Sequence, residues 1–515
     1  MIMKKARFIF NRAILLLGLN VKEFIPFVGS IMDRGLDANI SATPTKDQLF
    51  QNCLFYPTKN PYTGKDSIFV ARRMGMPSSG TTDSDFAEIE GFYYWRSVGT
   101  LVRYGYDTSG PGIQSRYNIT DSALTSTAQT TGSNNRIFHV SESKTSSGTA
   151  AVFLISAAFN NTYTTVRMFP DLSGAQTNIT VPSGSCGHLA HMDGYVFLAN
   201  TNGRIYNSTL NDPTTGYTDF IGVDIQPGPL VTVFKYRNYL LAFKTHSMEM
   251  FRIGEQTTGS PLQRIVEGFH QVGIFKDVTG GSTWSSLPIS APPIVEGSDT
   301  VYWLGQGNDG LGIYKMDNDS PKKISEPFHD KYLTKYGGYI KYIVVGKRRL
   351  LLVYCTNEWL CLDIDSGIWN IWLSAKASDT FKTWCNTFNG EGLISANSNI
   401  YYHWTPTSSI PYLDVDQNIT RKIRTGNIDF DNNELKDFPG LTILGDRATS
   451  TSNIAVRWSK DDYQTWSTSK NVDMSSTYPG LYALGVGRRI AFEFSDTVQS
   501  EQRLRGFELD YNIRD

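Results

Sequence analysis

Between Tyr195 and Trp404 the chain keeps returning to one pattern: an apolar run, a tight polar turn, and a second apolar run. Tyr195 to Ala199 is followed by a turn at Asn200 to Gly203 and then Ile205-Tyr206. Tyr239 to Phe243 precedes a turn at Lys244 to Ser247 and Met248 to Ile253. Val301 to Leu304 precedes Gly305 to Gly310 and Leu311 to Met316. Leu350 to Tyr354 pairs in the same way with Trp359 to Ile364, and Leu393 to Ser395 with Ile400 to Tyr402. Short β-branched and aromatic runs around a Gly, Asn, Asp or Ser turn are the signature of a β-hairpin. Their recurrence at a spacing near the roughly 40–50 residues of a propeller blade predicts a β-propeller.

Two further hairpins are predicted upstream, Gly91 to Tyr106 and Ala150 to Phe169, which brings the expected blade number to six or seven. The segment between them, Asp107 to Asn135, is rich in Ser, Thr and Gly and reads as a loop or polar insertion at a rim. Before the propeller, Phe24 to Phe27, Gln51 to Pro57 and Ile68 to Met76 read as short extended segments leading into the first blade. After Thr405 the hairpin spacing stops. The runs Ile419 to Phe430, Leu441 to Leu444, Ile454 to Trp458, Arg488 to Phe494 and Leu504 to Tyr511 remain, several alternating at period two. Such alternation marks strands with one face on a core and one face wet. The predicted organisation is all-β: an N-terminal arm with extended segments over residues 1–85, a propeller over 86–408 and a C-terminal antiparallel, sandwich-like β-domain over 409–515.

The extreme N-terminus carries Lys4, Lys5 and Arg7 and then Ala13 to Gly18. Arg12 interrupts the apolar run and no small-residue cleavage site follows, so the pattern departs from a signal peptide. The run is also too short to span a bilayer, which needs about 20 apolar residues. A short helix, or an arm that packs on a partner subunit, is the expectation, with no membrane insertion.

Composition narrows the function. Aromatic residues make up 13% of the chain, with 45 glycines, a mix that suits strands and turns. Charged residues make up only 19%, and the formal net charge is −1. A protein that grips phosphates should be basic, so tight static binding to DNA or RNA is not expected. The cysteines Cys53, Cys186, Cys355, Cys361 and Cys385 form neither a disulfide framework nor a zinc spacing, although Cys355 and Cys361 lie on the two arms of one predicted hairpin. They read as buried apolar groups of a reduced compartment. Sequons at Asn39, Asn118, Asn160, Asn178, Asn207, Asn318 and Asn418 are what an Asn-, Ser- and Thr-rich chain produces by chance.

No pattern of catalytic chemistry emerges. Ser459 to Trp466 resembles the Asp-box turn of sialidases and other propellers, with Tyr463 in place of the usual Gly; there the box is a structural turn. The arginine cluster and the Tyr/Glu pair that glycoside cleavage by a sialidase would need are not visible. His188 and His191 fall three apart on a predicted strand and should face opposite sides, which suits core or solvated histidines and not a shared metal. Asp414 to Asn418 and Asp429 to Asn433 begin like calcium loops but lack the Gly and the closing Glu. Gly305 to Gly310 precedes a strand and not a helix, so it is no phosphate cradle. The expectation is a protein that is not an enzyme, with no catalytic, cofactor-binding or metal residues. Trp359, Trp369, Trp372, Trp384 and Trp404 are left either as inter-blade filling or as part of a sugar-stacking or subunit-contact surface.

Several segments, in fixed order, resemble one family. Gln51-Asn52-Cys53 with Arg72-Arg73-Met74-Gly75-Met76 is similar to the opening segment of the tail hub or nozzle proteins of short-tailed bacteriophages, also called packaged-DNA stabilisation or head-closure proteins. Met74 stands where that family usually has Pro. Tyr236 to Ile253, Gln271 to Gly273, Asp299 to Gly305, and Gly312 to Tyr314 before Lys323 to Ser325 resemble its propeller hairpins. Val456 to Asp461 with Thr465-Trp466, Gly480 to Tyr482, Gly487 to Arg489, Phe494 to Asp496 and Leu504 to Gly506 resemble its closing region. The resemblance implies a structural virion protein of the tail, assembled in the bacterial host cytoplasm as a homo-oligomeric, hexameric ring. That ring would close the capsid exit and form the channel for DNA ejection. Implied partners are the tail adaptor above, fibre, spike or needle proteins, and transient non-specific contact with DNA in the lumen. The near-neutral charge suits a conduit that must not hold DNA tightly. Two alternatives stand beside it: a carbohydrate-binding propeller adhesin of the virion or cell surface, and a diverged propeller hydrolase.

Overall fold

The computed structural model describes residues 21–28 and 49–514 apart from connecting segments, the longest being 60–65, 107–112, 170–176, 276–291 and 405–411. The N-terminal stretch read as a helix or arm lies outside the described residues. The chain divides into two units, one made of Met1–Ser78, Glu358–Ser378 and Thr407–Asp515, the other of Ser79–Asn357 and Asp379–Pro406. Strands dominate both, and the α-helix Pro327–Leu333 has 7 residues. Among the described residues no helix is long and apolar enough to cross a membrane.

The second unit is the β-propeller. Its sheets are antiparallel meanders that follow one another in chain order. The first comprises Glu88–Trp95, Thr100–Tyr106, Ile113–Thr120 and Ala123–Thr130. The last two of these strands occupy the segment read as a loop. Its threonines are β-branched and its charge is low, so strand geometry is open to it, and Ile113, Tyr117 and Ile119 alternate along the first of the two strands. The next sheet has seven strands, from Arg136–Lys144 to Asp212–Gly222. Its 16-residue strand Thr177–Met192 serves two meanders. The first half of that strand pairs with Thr162–Phe169 and the second half with Tyr195–Asn200. The corner falls at Gly184 and Gly187, whose φ of 83° and 71° only glycine adopts readily.

The fourth blade contains Leu230–Tyr236, Tyr239–Lys244, Met248–Ile253 and Leu262–His270, and the fifth is built on Val301–Gly307 and Gly310–Asp317. The sixth is entered by Tyr336–Val345 paired with Arg348–Cys355. For the hairpin predicted at Leu350 to Ile364, the arms are the strands Arg348–Cys355 and Glu358–Asp363, and the division between the units falls between them. The last blade holds Thr383–Asn386, Leu393–Asn397 and Ile400–Trp404, and Thr81–Thr82, from the other end of the propeller sequence, pairs with Ile400 and Tyr401. Thr383–Asn386 of the last blade also adjoins Glu88–Trp95 of the first. The ring is thus closed by strands from both ends of the propeller sequence.

Burial on both faces explains the continuous apolar runs. In Tyr239–Lys244, Leu240 and Ala242 pack with Phe197, Ala199 and Ile205 of the third blade. Leu241 and Phe243 point the other way and pack with Trp303, Tyr314 and Met316 of the fifth. Period two sends alternate side chains to opposite neighbours, so a strand between blades must be apolar throughout. Trp303 anchors one interface, with its ring 5.5 Å from Phe243 and 5.9 Å from Tyr314. Its Nε1 donates to the Gly273 carbonyl at 3.2 Å. A buried side chain of this size contributes about 1.5–3 kcal/mol, against about 1 kcal/mol for a turn hydrogen bond. Face-to-face packing therefore holds the blades, and the turns set register.

The first unit is a two-sheet sandwich. One sheet runs Cys53–Lys59, Asp66–Arg72, Leu504–Ile513, Lys436–Gly445, Gly480–Gly487, with Val21–Pro26 also paired to Leu504–Ile513. The other includes Leu49–Gln51, Arg421–Arg424, Ala491–Asp496, Asn453–Ser459 and Lys470–Asp473. Phe55, Val70, Ile443, Phe507 and Leu509 of the first meet Phe50, Ile423, Val456, Phe492 and Phe494 of the second in one core. The segments before residue 77, read as leading into the first blade, instead pair with the C-terminal strands.

Candidate functional site

The densest polar arrangement among the described residues lies inside this sandwich, and it is built from the opening motif. Asn52 joins two strands in the left-handed backbone region, φ 54°. Its Oδ1 accepts from Arg73 Nε at 2.9 Å and from the Leu373 amide at 2.8 Å. Its Nδ2 donates to the Thr420 carbonyl at 2.9 Å. Arg73 spends its remaining donors on the carbonyls of Met74, at 2.8 Å, and Leu373, at 2.6 Å, and on both carboxylate oxygens of Asp414. Asp414 also accepts the amides of Met76 at 3.1 Å and Ala375 at 3.0 Å. Gly75 passes so close to Leu413 that a Cβ there would lie 2.2 Å from the Leu413 carbonyl oxygen. The motif thus supplies an Asn that fits a left-handed turn, an Arg fork and a residue without a side chain, all meeting one carboxylate.

A second buried group lies alongside. Asp496 pairs with Arg72 and, at 2.7 Å, with Arg421, which also donates to the carbonyls of Val70 at 2.9 Å and Gln502 at 2.7 Å. Burial, and then the adjacent Arg421 charge, lowers Arg72 to about 9, which leaves it cationic at neutral pH. Cys53 is buried beside them and its thiol is pushed up to about 12 by burial. A thiol held protonated in this way is unreactive. Paired Arg and Asp groups of this kind tie distant chain segments to one another.

The other sequence-derived candidates resolve as follows. The Asp-box is a turn: Asp461 Oδ1 accepts the Thr465 amide at 2.9 Å, and Ser459 Oγ donates to Asp461 at 2.8 Å while accepting the Tyr463 amide at 2.9 Å. Tyr463 takes φ 65°, the conformation for which a Gly is usual, and its hydroxyl donates to the Thr425 carbonyl at 3.1 Å. The box lies in the sandwich and not in the propeller. His188 Nδ1 meets Thr232 Oγ1 at 3.1 Å, towards the fourth blade, whereas His191 Nε2 meets Ser141 Oγ at 3.2 Å, towards the second. They face opposite sides, as strand spacing requires. Asp414 is the buried partner of Arg73, and Asp429 precedes a turn whose Phe430 stacks on Tyr511 at 3.9 Å. Asp416, Asp431 and Asp309 lie outside the described residues. Trp359, Trp372 and Trp384 are buried. Asn207, within a sequon, is 4% exposed and is not available to a glycan. Cysteines 53, 186, 355, 361 and 385 are all free. Among the described residues no group of three or more His, Cys, Asp or Glu is placed to hold a metal ion. The convergence of Asn52, Arg73 and Asp414 was not legible in sequence, since the partners are 341 positions apart.

Fold and site together define a β-propeller protein whose opening polar motif is tied up within the sandwich. The chain belongs to the family described as "Bacteriophage P22 Gp10, beta-propeller", whose model matches residues 100–394, more than half of the sequence. It is accordingly a bacteriophage virion protein concerned with stabilising the packaged DNA in the head. The match covers most of the propeller hairpins, with the hairpins at Gly91 and at Leu393 reaching beyond its ends, and the opening and closing motifs lie outside it. No curated protein matches the chain.

Proposed function

We propose that this protein is the tail nozzle: a ring of identical subunits, six by expectation, at the exit of the capsid, which retains the packaged genome and then forms the channel through which it leaves. The observation that carries the reading is the family match across the propeller. Two features support it. The formal net charge of −1 suits a wall that DNA slides past, because a basic lumen would trap phosphates. The Arg73–Asp414 and Arg421–Asp496 pairs described above tie chain segments of the sandwich together, which suits a scaffold. Closed cyclic symmetry is the usual arrangement for such subunits. In this reading the tail adaptor sits above the ring, and fibre, spike or needle proteins sit beside or below it.

The test is genetic. Phage carrying a stop codon in this gene should package DNA and then lose it, leaving empty heads, and supplying the purified protein should restore retention. Mutant heads that stay full, or heads that never fill, would remove the retention role.

A further inference from the structure

The outer face of one sandwich sheet carries an indole set over several cations, which the proposed function does not use. Ile423, Phe494 and Val456 turn into the core, so alternation sends their chain neighbours to the opposite face. The strand register sets those neighbours in two rows. One row is Arg424, Glu493 and Arg457, and the other is Gln51, Lys422, Ser495, Ala455 and Asn471. In the first row Glu493 is buried, and each of its oxygens takes one arginine. Oε2 accepts from Arg424 at 2.6 and 3.0 Å, and Oε1 from Arg457 at 2.7 and 2.8 Å. Trp466 spans both guanidiniums, its ring 4.8 Å from Arg457 and 5.5 Å from Arg424. The end of the Asp-box turn fixes that indole: the adjacent Ser467 donates its amide to the Trp458 carbonyl at 2.9 Å, and its Oγ accepts the Trp458 amide at 3.0 Å.

The charge of this face is unbalanced. Lys422, Arg424 and Arg457 stand against one carboxylate, Glu493, which the two arginines already share, and among the described residues no carboxylate pairs with Lys422. The indole is half-buried and Arg457 is 37% exposed, so an aromatic ring and cations meet solvent together. We infer that this face binds an acidic polysaccharide, with a sugar ring stacked on Trp466, its carboxylate on Lys422 and Arg457, and hydroxyls on Ser495, Asn471 and Gln51. A pyranose offers C–H groups on one face for an aromatic ring and hydroxyls around its rim for amides and hydroxyls, which is the division of chemistry found here. The strands beneath are paired on both sides, so a peptide cannot add to them as a further strand. The floor of Ser495, Ala455 and Asn471 also gives a peptide side chain no apolar seat. Single-stranded nucleic acid wants rings in succession along a cationic track, whereas Trp466 and Tyr463 stand together, 5.9 Å apart. The site is independent of any role in the tail.

The experiment uses the full-length chain in calorimetric titration against three acidic probes, oligogalacturonate, alginate oligomers and oligosialic acid. Neutral maltooligosaccharide, polyglutamate and an oligothymidylate serve as comparisons. The expected result is binding of at least one acidic oligosaccharide, weakening as salt is raised, with neutral sugar, polyglutamate and oligothymidylate at least about tenfold weaker. Trp466→Ala and Lys422→Gln should each weaken that binding about tenfold or more. Lys422→Gln is the variant least at risk of misfolding, and an unchanged melting temperature shows that its loss is local. No binding of any acidic oligosaccharide would overturn the site, as would binding that survives both substitutions. Equal or tighter binding of polyglutamate or oligothymidylate would also overturn it, assigning the face to a peptide or to nucleic acid.

Discussion

Arg73 and Asp414 form a bidentate ion pair in which both side chains are almost fully buried, at 1% and 0% exposure, and it joins the N-terminal strands to the segment that opens the C-terminal strands. Removing one member leaves the other charged and unpaired inside the sandwich, which costs about 3–5 kcal/mol. Asp414→Ala and Arg73→Met should each lower the unfolding free energy of the sandwich by that amount in denaturant titration. Arg73→Lys should cost nearly as much, because one ammonium cannot replace five fixed donors. A loss below about 1 kcal/mol in all three would show that the network is not what holds the unit.

Gly187 marks the corner at which one strand passes from the second blade to the third. Its φ is 71°, and an added Cβ would lie 2.5 Å from Thr232. Gly187→Ala therefore combines left-handed strain of about 1 kcal/mol with a clash against a neighbouring strand. The expected outcome is a loss of roughly 2–4 kcal/mol, with new protease cleavage near the corner. Gly148→Ala, in open space but also at φ 83°, should show the strain alone, about 1 kcal/mol.

Acid should weaken the propeller through its histidines. Burial depresses His188 to about 3, and His191 and His329 to about 4, below the ordinary value of 6.5. Below pH 6.5 the unfolded chain then binds more protons than the folded one, so stability is whole above that pH and falls as the pH drops towards 4. Near pH 5 the linkage amounts to roughly 2 kcal/mol per histidine. His329→Gln should flatten the slope of melting temperature against pH between 6.5 and 4; an unchanged slope would contradict the buried neutral form.

At the Asp-box turn the sign is the usual carboxylate one. Hydrogen bonds from Thr465, first its hydroxyl and then its amide, with Ser459, hold Asp461 at about 2, below 3.8. The turn should stay intact at pH 3 and open only as pH falls through about 2, read as loss of the Thr465 amide resonance position. Tyr463→Phe, which removes only the bond to the Thr425 carbonyl, should cost about 1 kcal/mol. Tyr463→Gly gains back about 1 kcal/mol of left-handed strain but loses that bond and the ring contact with Trp466, and should be net destabilising.

What could be read from the sequence follows from what is local. The hairpins at Tyr195, Tyr239 and Val301 were legible because both arms and the turn lie within one short window, and burial on both faces makes the arms uniformly apolar. In the C-terminal region Phe492 and Phe494, and Phe507 and Leu509, were legible as core positions by alternation. Ala123–Thr130 was missed because a threonine-rich strand carries no apolar stripe, and Ile113–Thr120 because the alternation of Ile113, Tyr117 and Ile119 is set in a polar, glycine-flanked stretch. The pairing of Val21–Pro26 with Leu504–Ile513 was missed because nothing local in either strand names so distant a partner. Arg73 was legible as part of a motif, but its role depends on Asp414, which on its own resembled a calcium loop.

The central claim is that this chain forms a ring at the capsid exit, and cryo-electron microscopy of purified virions tests it most directly. The account predicts density for the propeller and the sandwich in a closed ring, six copies by expectation, on the tail axis below the portal, with a central opening wide enough for duplex DNA. Density for this chain only on radial appendages, or none in the particle, would contradict it.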